Sequence, residues 1–207
     1  MIVSALALMA ALAGQVPPAS GDARPRVVIH TDRGDIRVML NEVAAPVSTC
    51  NFLRYVQAGR YRDARFFRTV VRATNDNPNP IDVIQAETTA GSDDPGLGPI
   101  ALERTRDTGL RHVAGAISMA RDGPDTATSS FFLVTRDTPS LDFGGGRNPD
   151  GQGFAAFGQI EEGLEIARAI QALPAVDEQL RPPVAIRDIV LVGAMPAVCA
   201  SATPPAS

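Results

Sequence analysis

The sequence predicts a mainly β protein: a closed eight-stranded antiparallel β-barrel capped by two α-helices. Short runs of alternating apolar and polar residues recur along the chain, which is the period of half-buried strands. The 18 Gly and 17 Pro indicate many turns. Only two stretches have helical spacing, whereas a layered α/β fold needs a helix after nearly every strand.

The first elements are a β-hairpin and a helix. Alternating runs at 27–31 and 36–40 flank the turn 32–35, which is a hairpin signal. In "APVSTCNFLRYVQAG", Pro46 stands near a helix start and Gly59 where the helix would end. A second helix, "EGLEIARAIQAL", precedes the last strand. Further strand-like runs are 66–71, 81–86, 114–120, 131–135, 154–160 and 184–192.

Composition and motifs exclude several function classes. The net charge is −4 and all 19 cations are Arg, with no basic domain or stripe, so no nucleic-acid partner is expected. The six arginines between 54 and 72 are interpreted as a solvated face with one or two special members. The two histidines, His30 and His112, are far apart and lack carboxylates or thiols at ligand spacing, so no metal site is expected. No phosphate-binding loop or Gly-x-Ser-x-Gly motif is present, and no cofactor is expected.

The apolar N-terminus predicts export. Its apolar run is too short to span a bilayer and ends in the small-x-small pattern of a signal-peptide cleavage site, so we expect a periplasmic protein without stable membrane insertion. No Lys or Arg precedes the run, which leaves a misplaced start codon or another role open. The predicted divisions are a signal peptide at 1–13, a linker at 14–25, a folded domain at 26–192 and a flexible tail at 193–207.

The two cysteines leave two interpretations open. Cys50 lies in the first predicted helix and Cys199 in the predicted tail. An oxidising compartment would permit a disulfide. A single pair this sparse is not a disulfide framework, so two unrelated thiols are favoured.

Four segments, in order, resemble the signature segments of the cyclophilins, which are peptidyl-prolyl cis/trans isomerases. They are "YRDARFFRTV", "VIQAE", "GAISMARDGPDTATSSFFLVT" and "LDFGGGRNPDGQGFAAFGQIEEGLEIARAI". The resemblance implies the same eight-stranded barrel with two helices, and a monomer that binds proline-containing peptide segments. Where the family has Phe-His-Arg this chain has Phe66-Phe67-Arg68, which puts Arg68 in the place of the catalytic arginine.

The same resemblance implies a set of substrate-binding residues. Phe132 would line the apolar slot that holds the proline ring, while Phe131, on the opposite face of the strand, would be barrel core. Ala120 and the backbone of Arg121 match the strand end that pairs with the bound peptide. The implied substrate-binding residues are Val83, Gln85, Ala120, Arg121, Phe132, Leu141 and Phe154.

The chain departs from the family pattern inside the implied slot. Asp82 replaces a Phe of the slot floor, and a carboxylate there is costly unless solvated or paired. Ser130 replaces a Gln and Ser140 a Trp. The long link at 71–80 leaves open a register that brings Ile81 to the slot.

Two functions follow. The first is an isomerase that assists the folding of exported proteins, with activity reduced by the altered slot. The second is a catalytically weak or inactive cyclophilin-like module that binds proline segments or acts as a chaperone.

Overall fold

The computed structural model describes residues 24–91 and 96–200, and the chain enters the fold through the predicted hairpin. Strands β1 (Arg26–Thr31) and β2 (Gly34–Leu40) pair antiparallel. The Thr31 hydroxyl closes the turn, because its Oγ1 accepts the Arg33 N–H at 3.0 Å and donates to the Gly34 carbonyl at 2.7 Å.

The remaining strands complete a closed barrel. They are β3 (Ala64–Val70), β4 (Val83–Glu87), β5 (Ala116–Met119), β6 (Phe131–Val134), β7 (Ala155–Glu162), β8 (Ala175–Val176) and β9 (Gln179–Val192). Their order is β1-β2-β7-β5-β6-β4-β3-β9, every pairing is antiparallel, and β9 pairs again with β1 to close the barrel. The two-residue β8 extends β9 as a short hairpin. The predicted fold class is confirmed.

Within residues 24–91 and 96–200, two helices of two or more turns accompany the barrel, as predicted. They are α1 (Pro46–Gln57) and α3 (Leu164–Gln171), and two single turns are added, α2 (Thr105–Thr108) and α4 (Ala197–Ala200). The Glu103 carboxylate accepts the free N–H groups of Val47 and Ser48 at the start of α1, at 2.8 and 2.7 Å. The buried side of α1, which includes Phe52, packs into the barrel core.

The sheet separates two apolar clusters. Inside the barrel, Phe131 makes T-shaped contacts with Phe52 and Tyr61, with ring centroids 5.3 and 5.5 Å apart. A smaller cluster lies on the outer face and includes Phe132. Its other buried members are Val70, Ile81, Val83, Ala116, Val134, Leu141 and Phe154. Successive residues of a strand point to opposite faces, which is why neighbouring phenylalanines serve different clusters.

The last strand begins earlier than the sequence predicts. The expected start was residue 184, but β9 begins at Gln179. Pro182 and Pro183 argue against a continuous strand because proline cannot donate to a sheet ladder. In the fold both fall within a register shift, where Phe66 pairs with Val184 but Arg68 pairs with Gln179.

The two cysteines form a disulfide, so the favoured interpretation of two unrelated thiols was wrong. Cys50 of α1 bonds to Cys199 of α4, across 149 positions of sequence, and both are buried. Residues 197–200 of the predicted tail are thus a helical turn anchored to α1. Pairing at this distance depends on where the chain returns after β9, which no local pattern reports.

The predicted signal peptide at 1–13 lies outside the described residues, as do most of the linker and the end of the tail. Within residues 24–91 and 96–200, no helix has the length and apolar character needed to cross a membrane.

Candidate active site

A cleft of about 310 Å³ opens on the outer face of β3, β4 and β6, beside the end of β5. All eight residues implicated from the sequence line it: Arg68, Val83, Gln85, Ala120, Arg121, Phe132, Leu141 and Phe154. Ser130 and Ile81, which the sequence connected with the slot, also line the cleft. Its wall further contains residues that the sequence did not single out: Asp122, Thr126, Thr128, Arg147 and Asn148.

The apolar part of the cleft is built around Phe132. Its ring meets Phe154 edge to face, with centroids 5.5 Å apart. Phe132 is 4% exposed and Phe154 9%, so both rings are held firmly while one side of the slot remains open. Leu141 and Val83 belong to the same apolar cluster. The slot is therefore preformed and has the character that a small apolar ring requires.

Asp82, which replaces a family Phe of the slot floor, points away from the slot. Its Oδ2 accepts a hydrogen bond from Arg72 Nε at 2.6 Å, and its Oδ1 accepts the Arg72 backbone N–H at 3.1 Å. Gln171 of α3 donates a further bond to Oδ1 at 3.3 Å. The buried carboxylate is thus paired, and Ile81 instead contributes to the slot, as the alternative register suggested.

Arg68 lies at the polar edge of the slot and is held from two sides. Its Nη1 donates to Gln85 Oε1 at 3.0 Å, and its Nε and Nη2 both donate to Glu178 Oε2. Gln85 is oriented in turn, because its Nε2 donates to Ser130 Oγ at 3.1 Å and Ser130 donates to the Ala86 carbonyl at 2.8 Å. The serine that replaces the family Gln therefore fixes the amide that holds the arginine.

Glu178 is a residue that sequence reasoning missed. It lies in the turn between β8 and β9 with Asp177, and both residues have positive φ angles, 49° at Asp177 and 63° at Glu178. The strongest signal of such a turn is Asn-Gly or Asp-Gly, and this turn has Asp177 followed by Glu178, so it was not recognised. Asn75 Nδ2 donates to Glu178 Oε1 at 2.7 Å, which fixes the carboxylate facing Arg68.

Arg121 has a structural use for its side chain. The side chain is 1% exposed, and its guanidinium forms two hydrogen bonds to Asp150 at 2.7 and 3.0 Å and donates to the Gly153 carbonyl. Its carbon Cζ lies 4.9 Å from the centroid of the Phe154 ring. Hydrogen bonds from Arg121 hold the pKa of Asp150 below its usual value. The loop 143–153 is thereby fastened to the wall of the slot.

A buried polar triad lies beneath Phe132, and the sequence did not reveal it. His112 stacks on Phe132 with centroids 6.0 Å apart. Its Nδ1 is 2.8 Å from Asp142 Oδ1 and its Nε2 is 3.0 Å from Ser118 Oγ. The order Ser, His and carboxylate resembles a hydrolytic triad, but the Ser118 and His112 side chains are 0% and 0–1% exposed, so no substrate can reach the hydroxyl.

The pKa directions in the triad favour a neutral His112 and an ionised Asp142. Burial lowers the pKa of His112, although its contacts with Asp142 act in the opposite direction. The neutral ring donates from Nδ1 to Asp142, and Nε2 accepts from Ser118. Burial alone would raise the pKa of Asp142, but the hydrogen bonds from the His112 ring and backbone, with the nearby Arg111 charge, bring it below its usual value.

A family model that matches nearly the whole folded domain decides to which family the chain belongs. A family model described as cyclophilin type peptidyl-prolyl cis-trans isomerase/CLD matches residues 26–191. This chain belongs to the cyclophilin family. It is accordingly a cyclophilin-type peptidyl-prolyl cis/trans isomerase, as the resemblance of its four segments implied.

Curated cyclophilin relatives agree with this assignment. The chain is 30% identical over 170 residues to peptidyl-prolyl cis-trans isomerase A of Dickeya dadantii (strain 3937), which covers 82% of this chain and 83% of that protein. It is 30% identical over 169 residues to peptidyl-prolyl cis-trans isomerase cyp18 of Streptomyces antibioticus, covering 81% and 96%.

A solved structure shows the same fold. The Cryptosporidium parvum cyclophilin type peptidyl-prolyl cis-trans isomerase superposes with a TM-score of 0.68 at 23% identity, over 83% of this chain and 99% of that one. A second structure of that protein, obtained in the presence of the dipeptide Ala-Pro, gives a TM-score of 0.63 at 21% identity, over 82% and 99%.

Proposed function

We propose that this cyclophilin isomerises X-Pro bonds of exported proteins during folding, with Arg68 as the catalytic residue. The observation that carries the proposal is the Arg68 guanidinium at the open edge of the slot formed around Phe132. Glu178 and Gln85 hold it there. Among the described contacts, one N–H on each of Nη1 and Nη2 has no protein acceptor and is available to a substrate.

The reaction requires no group that titrates near neutral pH. Rotation about the X-Pro bond faces a barrier of about 18–20 kcal/mol, because the nitrogen lone pair is delocalised into the carbonyl. In the twisted state this lone pair returns to nitrogen and can accept a hydrogen bond from Arg68. An interaction formed mainly in the twisted state lowers the barrier rather than merely strengthening binding. Arginine suits this role because it stays protonated.

The slot would position the proline ring beside that donor. The C. parvum structure obtained with Ala-Pro supports a proline-containing ligand for this fold. We infer that the ring packs on Phe132, Leu141 and Phe154, and that the peptide backbone pairs with the strand end at Ala120 and Arg121. Val83 and Gln85 complete the contact from β4. No cofactor enters this reaction.

Two features support a periplasmic setting. The apolar N-terminus has the composition of a signal peptide. The Cys50–Cys199 disulfide is of a kind that persists in oxidising compartments and is rare in the cytosol. The test is mass spectrometry of the mature protein from the native host, with cell fractionation. Cleavage near Ala13 in the periplasmic fraction is expected, and an intact Met1 in the cytoplasm would contradict export.

One observation favours a second function, a proline-segment binding module. Glu178 pairs with the Arg68 charge and accepts hydrogen bonds from two of the three guanidinium nitrogens, Nε and Nη2. Ser140 also replaces the family tryptophan and offers no ring. If the ion pair holds Arg68 away from the prolyl nitrogen, the cleft would bind proline segments without turning them over.

An exchange experiment separates the two functions. Cis and trans resonances of a blocked Ala-Ala-Pro-Ala peptide would be followed by two-dimensional NMR exchange spectroscopy with the purified wild-type protein. The proposed isomerase accelerates exchange above the uncatalysed rate, which takes tens to hundreds of seconds. Saturable shift changes without acceleration would instead identify a binding module.

A further inference from the structure

The charges that line the cleft are not evenly compensated. Arg68 is paired with Glu178, and Arg121 is paired with Asp150. Arg147 also lines the cleft, but no carboxylate of the described residues lies within 4.0 Å of its guanidinium. Its Nη1 donates to two neutral acceptors, Asn75 Oδ1 at 2.7 Å and the Asn79 carbonyl at 3.3 Å.

Arg147 is held in this position by two long loops that meet. It belongs to the loop 143–153, and its partners belong to the link 71–82 between β3 and β4. Asn79 Nδ2 donates to the Gly146 carbonyl at 2.9 Å, which adds a second contact between the loops. Asn75 also bonds Glu178, so Arg147 stands at the Arg68 side of the cleft. The hydrogen bonds from the two loops therefore keep the half-buried Arg147 guanidinium close to the like charge of Arg68.

The electrostatic surroundings support this view. Burial lowers the pKa of Arg147, and the nearby Arg68 charge lowers it further, while Glu178 acts in the opposite direction. The guanidinium remains charged, since arginine is not deprotonated in proteins. At the other side of the cleft the exposed Asp122 follows the end of β5, and strands β6 and β4 separate it from β3. Asp122 therefore places a negative charge on the side of the cleft opposite Arg68 and Arg147.

We propose that Arg147 is an anion subsite that selects proline segments carrying an Asp or Glu beside the proline, on the Arg68 side of the cleft. The inference rests on the proposed function and names its substrate class. A planar guanidinium with free N–H groups is matched to a carboxylate, with which it can form two parallel hydrogen bonds. Asp122 repels the same acid at the other end, so only one of the two positions flanking the proline is favoured.

The test uses blocked peptides without terminal charges. A Glu-Pro-Ala core is compared with Gln-Pro-Ala, and an Ala-Pro-Glu core with Ala-Pro-Gln. NMR exchange gives kcat/KM and shift titration gives Kd for each peptide. One of the two Glu peptides should exceed its Gln counterpart by about two- to fivefold in kcat/KM and in affinity, the range for a partly exposed ion pair. The other Glu peptide should show no gain.

Three variants assign the preference. Arg147→Gln should bring the ratio of the Glu peptide to its Gln counterpart close to one, and Arg147→Lys, which keeps the charge but not the planar fork, should retain only part of the preference. Arg62→Gln removes the same charge from an exposed position outside the cleft, and should leave the preference intact. Glu preference that survives in Arg147→Gln, or equal loss with every peptide, overturns the proposal. Because Kd is measured independently, absence of turnover would count against the isomerase function alone and would still leave the subsite tested.

Discussion

At the scale of single residues, the proposed catalysis depends on how Arg68 is oriented. An arginine loses side-chain entropy when it is fixed in one conformation. Here the hydrogen bonds to Gln85 and Glu178 already fix Arg68 before the substrate binds. The substrate then meets a donor that needs little rearrangement. Ser130, which departs from the family, supports this arrangement because it fixes the Gln85 amide.

The adjacent phenylalanines should differ in what they support. Phe131→Ala should lower the free energy of unfolding by about 3–5 kcal/mol, because it leaves a cavity in the aromatic core. Phe132→Ala should cost less stability, since its ring borders an open cleft, but should weaken proline-peptide binding by about tenfold or more. Chemical denaturation and NMR titration measure the two effects. An unfolded Phe132→Ala protein beside a stable Phe131→Ala protein would reverse the assignment.

At the scale of elements, regular structure was predictable and the loops were not. Arg68, Val83 and Gln85 could be assigned because their segments resemble those of the family, and in β4 the alternate positions of Val83 and Gln85 put both side chains on the cleft face. The same resemblance put Asp82 in the slot, where the structure does not place it. Arg147 and Glu178 escaped prediction because each reaches the cleft from an irregular segment. The position of such a segment depends on long-range hydrogen bonds such as those of Asn75.

The disulfide between α1 and α4 should stabilise the fold. The double variant Cys50→Ala/Cys199→Ala should lose about 2–5 kcal/mol in the free energy of unfolding, because the bond constrains a long loop of the unfolded chain. Neither cysteine lines the cleft, so kcat/KM should be unchanged. Urea titration of the oxidised, reduced and double-variant proteins measures this. Equal stability of all three would show that the pairing contributes nothing.

At the scale of the whole molecule, one sheet serves two purposes. Its inner face closes the barrel core, and its outer face carries the cleft, with the His112–Asp142–Ser118 triad supporting Phe132 from below. Because the pKa values of His112 and Asp142 are shifted in the folded state, this triad also makes the stability of the protein depend on pH.

Acid should destabilise the protein in two stages. The pKa of His112 is lower in the folded state than its ordinary 6.5, so the unfolded chain takes up the proton first. Stability from this group is complete above about pH 6.5 and falls as the pH decreases below it, by at most about 1.4 kcal/mol per pH unit. Asp142, whose pKa is lowered from 3.8, adds a further loss below about pH 4.

Unfolding titrations of wild type and His112→Gln between pH 8 and pH 5 measure the first stage. The variant should be less stable at pH 8 but should lose less stability on acidification, while a His30→Gln control should follow the wild type. A wild-type stability that is constant down to pH 5 would show that His112 is not the buried neutral group described here.

The most direct test of the central claim is the catalytic effect of Arg68. Arg68→Ala should lower kcat/KM for X-Pro isomerisation by about ten- to 150-fold, the effect of one charge-assisted hydrogen bond made in the twisted state, while peptide Kd changes much less. Arg68→Lys should restore little, because an ammonium cannot reproduce the planar fork held by Gln85 and Glu178. NMR exchange spectroscopy and shift titration on the same peptide give both quantities. An active wild type whose kcat/KM is unaffected by Arg68→Ala would contradict the account.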